Sequence, residues 1–333
     1  MNRVARLARS FWVRPTVTAA LLGVIAFKID WRRAADRVVD GRWHWFALTV
    51  VLLLAALVLG AARWHLLLRA AGLPVRFVRA LRAYAIGAFS NTFLPTSFGG
   101  DAARAWVIGR SGPGVVRSLT TVAIDRVTAL WCLVAVSWIS LAADPGAVPG
   151  SLVLGLALAT LFAVGVPATL VLVAGRGRTR IAARLPERAR AWAGDAIEVV
   201  RVSLRSRRLL ALATALGLAY QTLAIASLWG VARAIDVDLS FVFVAVASPV
   251  ILVITLVPIS IAGFGVREGA AILVFGRAGV SATDATLISL VGFVAVVLSS
   301  LPGALWMVLP APNTAETLNG GRPEESVSSL PPC

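Results

Sequence analysis

Long apolar runs alternate with short Arg-rich or Gly/Pro-rich breaks along almost the whole of this 333-residue chain. A membrane-spanning helix needs about 20 mainly apolar residues. Five runs supply them: 44–62, 118–142, 151–174, 209–232 and 282–309. A sixth, 16–29, is short but extends back to Phe11 and Trp12. Two more apolar segments, 83–98 and 241–262, each run into the same kind of interruption. The first is Leu94-Pro95-Thr96-Ser97-Phe98-Gly99-Gly100-Asp101, with Arg104 beyond it. The second is Val257-Pro258-Ile259-Ser260-Ile261-Ala262-Gly263-Phe264-Gly265, followed by Arg267-Glu268. Broken backbone at membrane depth survives only where protein or a polar cavity satisfies its polar groups. Two matching breaks in two halves of a chain point to a transport site.

Loop charge sets the expected orientation, because cytoplasmic loops collect Arg and Lys. Segment 175–208 holds ten Arg against three acids, and 63–82 holds five Arg and no acid, so both are expected inside. Segment 143–150 carries Asp144 and no basic residue and is expected outside. The chain must then cross an even number of times between 63–82 and Arg117. A re-entrant hairpin over 83–116, dipping in from the cytoplasm, meets that need. The same logic makes 241–279 a hairpin entering from outside. The expected fold is thus an all-α polytopic membrane protein: an inverted repeat of three spans plus one re-entrant helical hairpin per half. The halves are about 10–142 and 151–309, joined at 143–150, and 311–333 reads as a disordered, polar C-terminal tail. Segment 30–43 fits this scheme badly, since it should lie outside yet carries four Arg against three Asp.

Composition agrees with membrane residence: 59% of residues are hydrophobic and the mean hydropathy is +0.85. The formal charge of +16 is almost all Arg. In a soluble protein it would suggest nucleic acid, but here the arginines lie between apolar runs, so no nucleic-acid partner is expected. Cys132 and Cys333 imply no disulfide framework. No cleavable signal peptide is expected, because the first run ends in Ile29-Asp30-Trp31.

The candidate site gathers around the breaks. Asn91, Ser97, Asp101 and Arg104 offer polar groups, Pro95 frees a carbonyl, and Gly100 lets backbone approach a ligand closely. A helix starting near Asp101 would favour an anion; an Asp101–Arg104 pair in a tight turn is the alternative. Asp125 and Arg126 lie within a span, where a charge is expensive and marks a functional site by default. Adjacent helical positions point about 100° apart, so the two should meet partners on other elements. Asp125 could hold Arg104 or Arg267, and Arg126 could face an anionic headgroup; a buried structural ion-pair network is the competing reading. At the second break, Pro258, Ser260 and Gly263 mirror the first. Arg267 suits a phosphate fork, with Glu268 to neutralise it or carry a proton. Tyr220 and Gln221 could line a cavity or make interhelical hydrogen bonds. No metal-ligand cluster, Walker loop or nucleophile elbow occurs, so neither a cofactor nor enzymatic activity is expected. Asp236-Val237-Asp238 reads as a solvated loop turn.

Taken together, Asn91-Thr92-Phe93-Leu94-Pro95, Gly99-Gly100-Asp101 with Arg104, Asp125-Arg126, and Pro258-Ile259-Ser260 with Gly263-Phe264-Gly265-Val266-Arg267-Glu268 resemble the lysylphosphatidylglycerol synthase transmembrane-region family over about residues 10–310. The resemblance implies a flippase-like, lipid-translocating domain. It also implies a cytoplasmic-membrane location and membrane-lipid partners with an anionic headgroup or a lipid-linked sugar. In founding members this domain is fused to a soluble aminoacyl-transferase. The chain ends soon after its last span, so lipid aminoacylation is not expected. Stand-alone relatives are linked to glycolipid pathways, which makes a glycosyltransferase partner conceivable. A membrane glycosyltransferase, an accessory subunit of one, or a secondary transporter of a small solute are the alternative functions.

Overall fold

The computed structural model describes residues 23, 29–93, 99–109, 113–177, 187–256 and 264–309, and these are helical with short connections. The helices are α1 (Trp31–Val39), α2 (Trp43–Ala70), α3 (Phe77–Phe93), α4 (Gly99–Gly109), α5 (Pro113–Ala143), α6 (Gly150–Gly177), α7 (Glu187–Arg205), α8 (Arg207–Ala234), α9 (Phe241–Thr255), α10 (Val266–Phe275) and α11 (Ala282–Val308). Two single 3₁₀ turns, Pro145–Ala147 and Gly276–Ala278, join α5 to α6 and α10 to α11. The run 16–29, the tail after Leu309, and Pro95, Ser97, Pro258, Ser260 and Gly263 lie outside the described residues, Gly23 and Ile29 excepted.

Stretches within α2, α5, α6, α8 and α11 are long and apolar enough to cross a membrane, and the protein is membrane-embedded. Ends are fixed locally. Asp30, Ser206, Ser240 and Ser281 cap α1, α8, α9 and α11, each side chain accepting the backbone N–H three residues on. The greasy outer surface of α6, where Leu154, Leu158, Leu161 and Val164 are exposed, is a lipid-facing surface in this setting.

Segment 63–82 departs from expectation. It is not one basic loop: α2 continues to Ala70, only 71–76 forms the turn, and α3 starts at Phe77. The first helix breakers after the apolar run are Gly72 and Pro74, and nothing before them stops an α-helix. Arg63 is therefore inside the bundle, 1% exposed.

One order of elements occurs twice: a long helix, two short ones and a long one, as α2–α5 and again as α8–α11. The two short pairs are rooted at opposite ends of the bundle. At one end, Arg117 near the start of α5 pairs with Asp195 of α7, and Arg82 of α3 donates to the carbonyls of Trp306 and Leu309. At the other, Arg33 and Arg37 on α1 reach Asp284 and Asp236, where α11 begins and α8 ends. Arg42 also pairs with Asp236. Three of the four arginines that made 30–43 awkward as an outer loop are thus locally neutralised. Asp238 pairs with Arg233, so the Asp236–Asp238 turn is held by arginines.

Two apolar cores flank the middle. One joins Leu133, Leu156, Ile225, Val244, Val246 and Ile288 from both halves. The smaller one is Trp64, Leu68, Ala80, Ala83, Ala105 and Val122. Between them lies a polar cavity.

Candidate headgroup cavity

The first hairpin is shaped by absent side chains. A Cβ on Gly100 would overlap the carbonyl oxygen of Gly87 and crowd Asn91, so only glycine lets α4 lie this close to α3. Asn91 Oδ1 accepts the Gly100 N–H at 2.8 Å, satisfying one free donor at the start of α4. This places Asp101 and Arg104 in the interior, 6% and 3% exposed.

From there a chain of alternating charges runs across α2, α5 and α4. Arg63 Nε donates to Asp125 Oδ1 at 2.7 Å. Arg104 Nη2 donates to Asp125 Oδ2 at 3.1 Å, and its Nε donates to Asp101 Oδ1 at 3.1 Å. Arg126 Nε closes the row on Asp101 Oδ2 at 2.7 Å. Each carboxylate is held between two guanidiniums, so three cations meet two anions. Arg104 is also stacked against Trp64 and Tyr84, 4.9 and 4.7 Å from the ring centres, and Arg63 lies 5.4 Å from the Tyr220 ring centre.

The second hairpin supplies a fourth cation. Gly265, at φ +82°, turns the chain into α10. Arg267 donates from Nη2 to Glu268 Oε1 at 2.9 Å and from Nε to Ser289 Oγ at 3.0 Å. Its guanidinium lies 5.4 and 4.9 Å from the centres of Phe264 and Phe293. Glu268, 1% exposed, sits behind it.

These groups border one cavity of about 400 Å³. Asn91, Asp101, Arg104, Asp125, Arg126 and Arg267 all line it; Gly100 and Glu268 hold the lining residues Asn91 and Arg267. Within it the cations are unequal. Arg63 and Arg104 are buried and locked, although each keeps an Nη1 with no hydrogen-bond partner among the described residues. Arg126 has a side chain half exposed and Arg267 one 28% exposed. Among the described residues Arg126 is bound only through Nε, which leaves its terminal nitrogens available. The arrangement can present two partly free guanidinium forks to an anion, fixed from behind by neutralised pairs.

A family model of the lysylphosphatidylglycerol synthase TM region matches residues 11–303. The chain belongs to this family. No curated protein matches it. Within the lysylphosphatidylglycerol synthase TM region of this chain, Asp125 and Arg126 do find partners on other elements, and Asp125 holds Arg104 and Arg63, not Arg267. The Asp101–Arg104 pair is present as well, as one link in the larger row. Gln221 donates to the Ala129 carbonyl, an interhelical bond, whereas Tyr220 lines the cavity. Sequence reasoning missed Arg63, Trp64 and Tyr84. The signal for Arg63 was the uninterrupted helix around it; Trp64 and Tyr84 look like ordinary interfacial aromatics until Arg104 is placed between them.

Proposed function

We propose that this chain is a flippase-like protein of the cytoplasmic membrane. It moves an anionic lipid, or a polyprenyl-phosphate-linked glycolipid, by passing the headgroup through the cavity between its two hairpins. The observation that carries this reading is the placement of Arg126 and Arg267 on one cavity between long apolar helices, Arg126 with both terminal nitrogens and Arg267 with Nη1 left over among the described residues. A charge inside a membrane is costly unless paired or used, and a phosphate takes such forks in bidentate fashion. Family membership supports a membrane role of this kind, and the opposite rooting of the hairpins supports an inverted two-fold relation between the halves, which suits alternating exposure of one site. Partners in this reading are membrane lipids; the protein catalyses no covalent chemistry.

The test is lipid translocation in liposomes. Wild type should move a labelled phosphate-bearing lipid between leaflets, and Arg126→Gln should slow it about tenfold per folded molecule, the loss expected when one charged hydrogen-bond partner is removed. Equal rates for wild type, Arg126→Gln and protein-free vesicles would reject the reading. Consumption of a nucleotide-sugar donor by the wild type would favour a glycosyltransferase instead.

A further inference from the structure

We propose that a second cavity, beside the guanidinium cavity, holds one hydrocarbon chain of the amphiphile whose headgroup the first cavity takes. The inference rests on the anionic-lipid reading above. The second cavity measures about 310 Å³ and shares Leu53, Ala224, Arg267, Phe293 and Val296 with the first, so the two are contiguous.

The walls change character across that junction. Beyond it stand Leu228, Val231, Ile251, Ala271, Phe275 and Ile288. Among the described residues, the hydroxyls of this second cavity are those of Thr49, Ser227 and Ser289, and each donates within the protein. Thr49 bonds the Ser227 carbonyl, Ser227 the Ala224 carbonyl and Ser289 the Glu268 carboxylate. Arg267, at the junction, is engaged through Nε and Nη2 by Glu268 and Ser289, which leaves Nη1 for the anion of the first cavity. Water needs two to four polar partners to stay in a cavity, and an apolar cavity without them stays dry. A void of this size leaves its lining without contact atoms, which hydrocarbon restores. At roughly 30 Å³ per heavy atom it accommodates on the order of ten methylenes, a large part of one lipid chain.

The positions also order the two cavities along the bundle. In α2 the polar cavity reaches Arg63, while the apolar one reaches back to Thr49; in α8 they extend to Tyr220 and Val231, respectively. The apolar cavity therefore lies nearer the end where α1 is tied down. A lipid in this site carries a chain inside the protein with its headgroup, and does not leave all its hydrocarbon in the bilayer.

Gly292 gives a clean test. It lines the apolar cavity, and a Cβ built on it meets only the Val231 side chain, at 3.9 Å. Gly292→Leu grows into the cavity and also improves helix propensity. Wild type and variant would be placed in phosphatidylcholine vesicles doped with phosphatidylglycerol carrying a diazirine midway along one acyl chain. Photo-adducts are then mapped by mass spectrometry. Wild type should give adducts at Val231, Ile251 or Phe275. Gly292→Leu should reduce these about tenfold, the loss expected for two displaced methylenes, with adducts on outward-facing Leu158 and Leu161 unchanged. Gly292→Ala, if the larger variant folds poorly, should give a smaller loss in the same direction. Adducts confined to outward-facing residues, or cavity adducts as strong in Gly292→Leu as in wild type, would overturn the proposal. A phosphatidylcholine bearing the same diazirine separates the two ideas. Cavity adducts formed equally well with it would leave the chain site standing and remove the anionic-headgroup reading.

Discussion

Glu268 binds Arg267 and the turn before it at once: Oε1 accepts Arg267 Nη2 at 2.9 Å, while Oε2 accepts the Gly265 N–H at 2.6 Å. The same carboxylate thus neutralises the cation facing the cavity and caps the first turn of α10. Structural and functional roles meet in this pair, and two substitutions pull them apart.

Arg267→Lys keeps the charge beside Glu268 but loses the planar fork, so the protein should fold and translocate a phosphate-bearing lipid about tenfold more slowly. Arg267→Ala leaves Glu268 buried and unpaired. It should cost about 3 kcal/mol, the low end for a broken buried pair because Arg267 keeps some exposure. Thermal melting in detergent and transport at matched folded protein give the two readings. A lysine variant that transports at the wild-type rate would make Arg267 a structural partner only.

Asp125→Asn removes the shared acceptor of two buried guanidiniums. It should destabilise the protein by about 3–5 kcal/mol and lower the yield of monodisperse protein. Combining it with Arg63→Met should recover part of the loss, since one stranded charge is gone. Additive losses in the double variant would show that Arg63 and Asp125 do not depend on each other.

Two glycines should behave in opposite ways. Gly100→Ala drives a methyl group into the Gly87 carbonyl, which backbone cannot yield cheaply, so α4 should separate from α3 and folded protein should be largely lost. Gly292→Ala makes only an ordinary contact with the Val231 side chain, and its melting temperature should stay equal or rise slightly, following helix propensity. Size-exclusion profiles of the two variants make the comparison; a well-folded Gly100→Ala would remove the close approach of the hairpin.

Side of membrane is checked by thiol labelling on a Cys132→Ala, Cys333→Ala background. Asp238→Cys and Arg201→Cys replace side chains that are 87% and 62% exposed. An impermeant reagent added to intact cells should label the first and spare the second. Labelling of Arg201→Cys from outside would reverse the orientation taken from loop charge.

The long helices were readable because apolar runs of span length have few other uses, and the two pairs of short helices because each apolar segment ran into a Pro- and Gly-rich stretch of sequence. Arg63 was not readable from span length alone. Cutting a helix after about 20 residues assigned it to a basic loop, while the chain itself gives no stop until Gly72. The row Arg63–Asp125–Arg104–Asp101–Arg126 could not be traced from sequence either. Its links cross between α2, α5 and α4, and periodicity shows which way a side chain points on its own helix but not which helix lies opposite. That Asp125 and Arg126 would look outward to other elements did follow from the angle between neighbouring positions.

The Arg63–Asp125 contact also bears on how the protein is made. The two residues are 62 positions apart, so the ribosome completes α2 well before its counter-charge exists. A lone Arg in an inserting helix costs about 2.5–3.5 kcal/mol on the translocon scale. The nineteen-residue apolar stretch 44–62 that precedes it outweighs that cost. Until α4 and α5 arrive, the newborn helix must keep Arg63 near the membrane border, with the side chain stretched toward the headgroups. Drawing it inward is then a late event of assembly. Slowing synthesis between residues 63 and 125 should lengthen the life of a protease-sensitive, half-assembled form in the membrane.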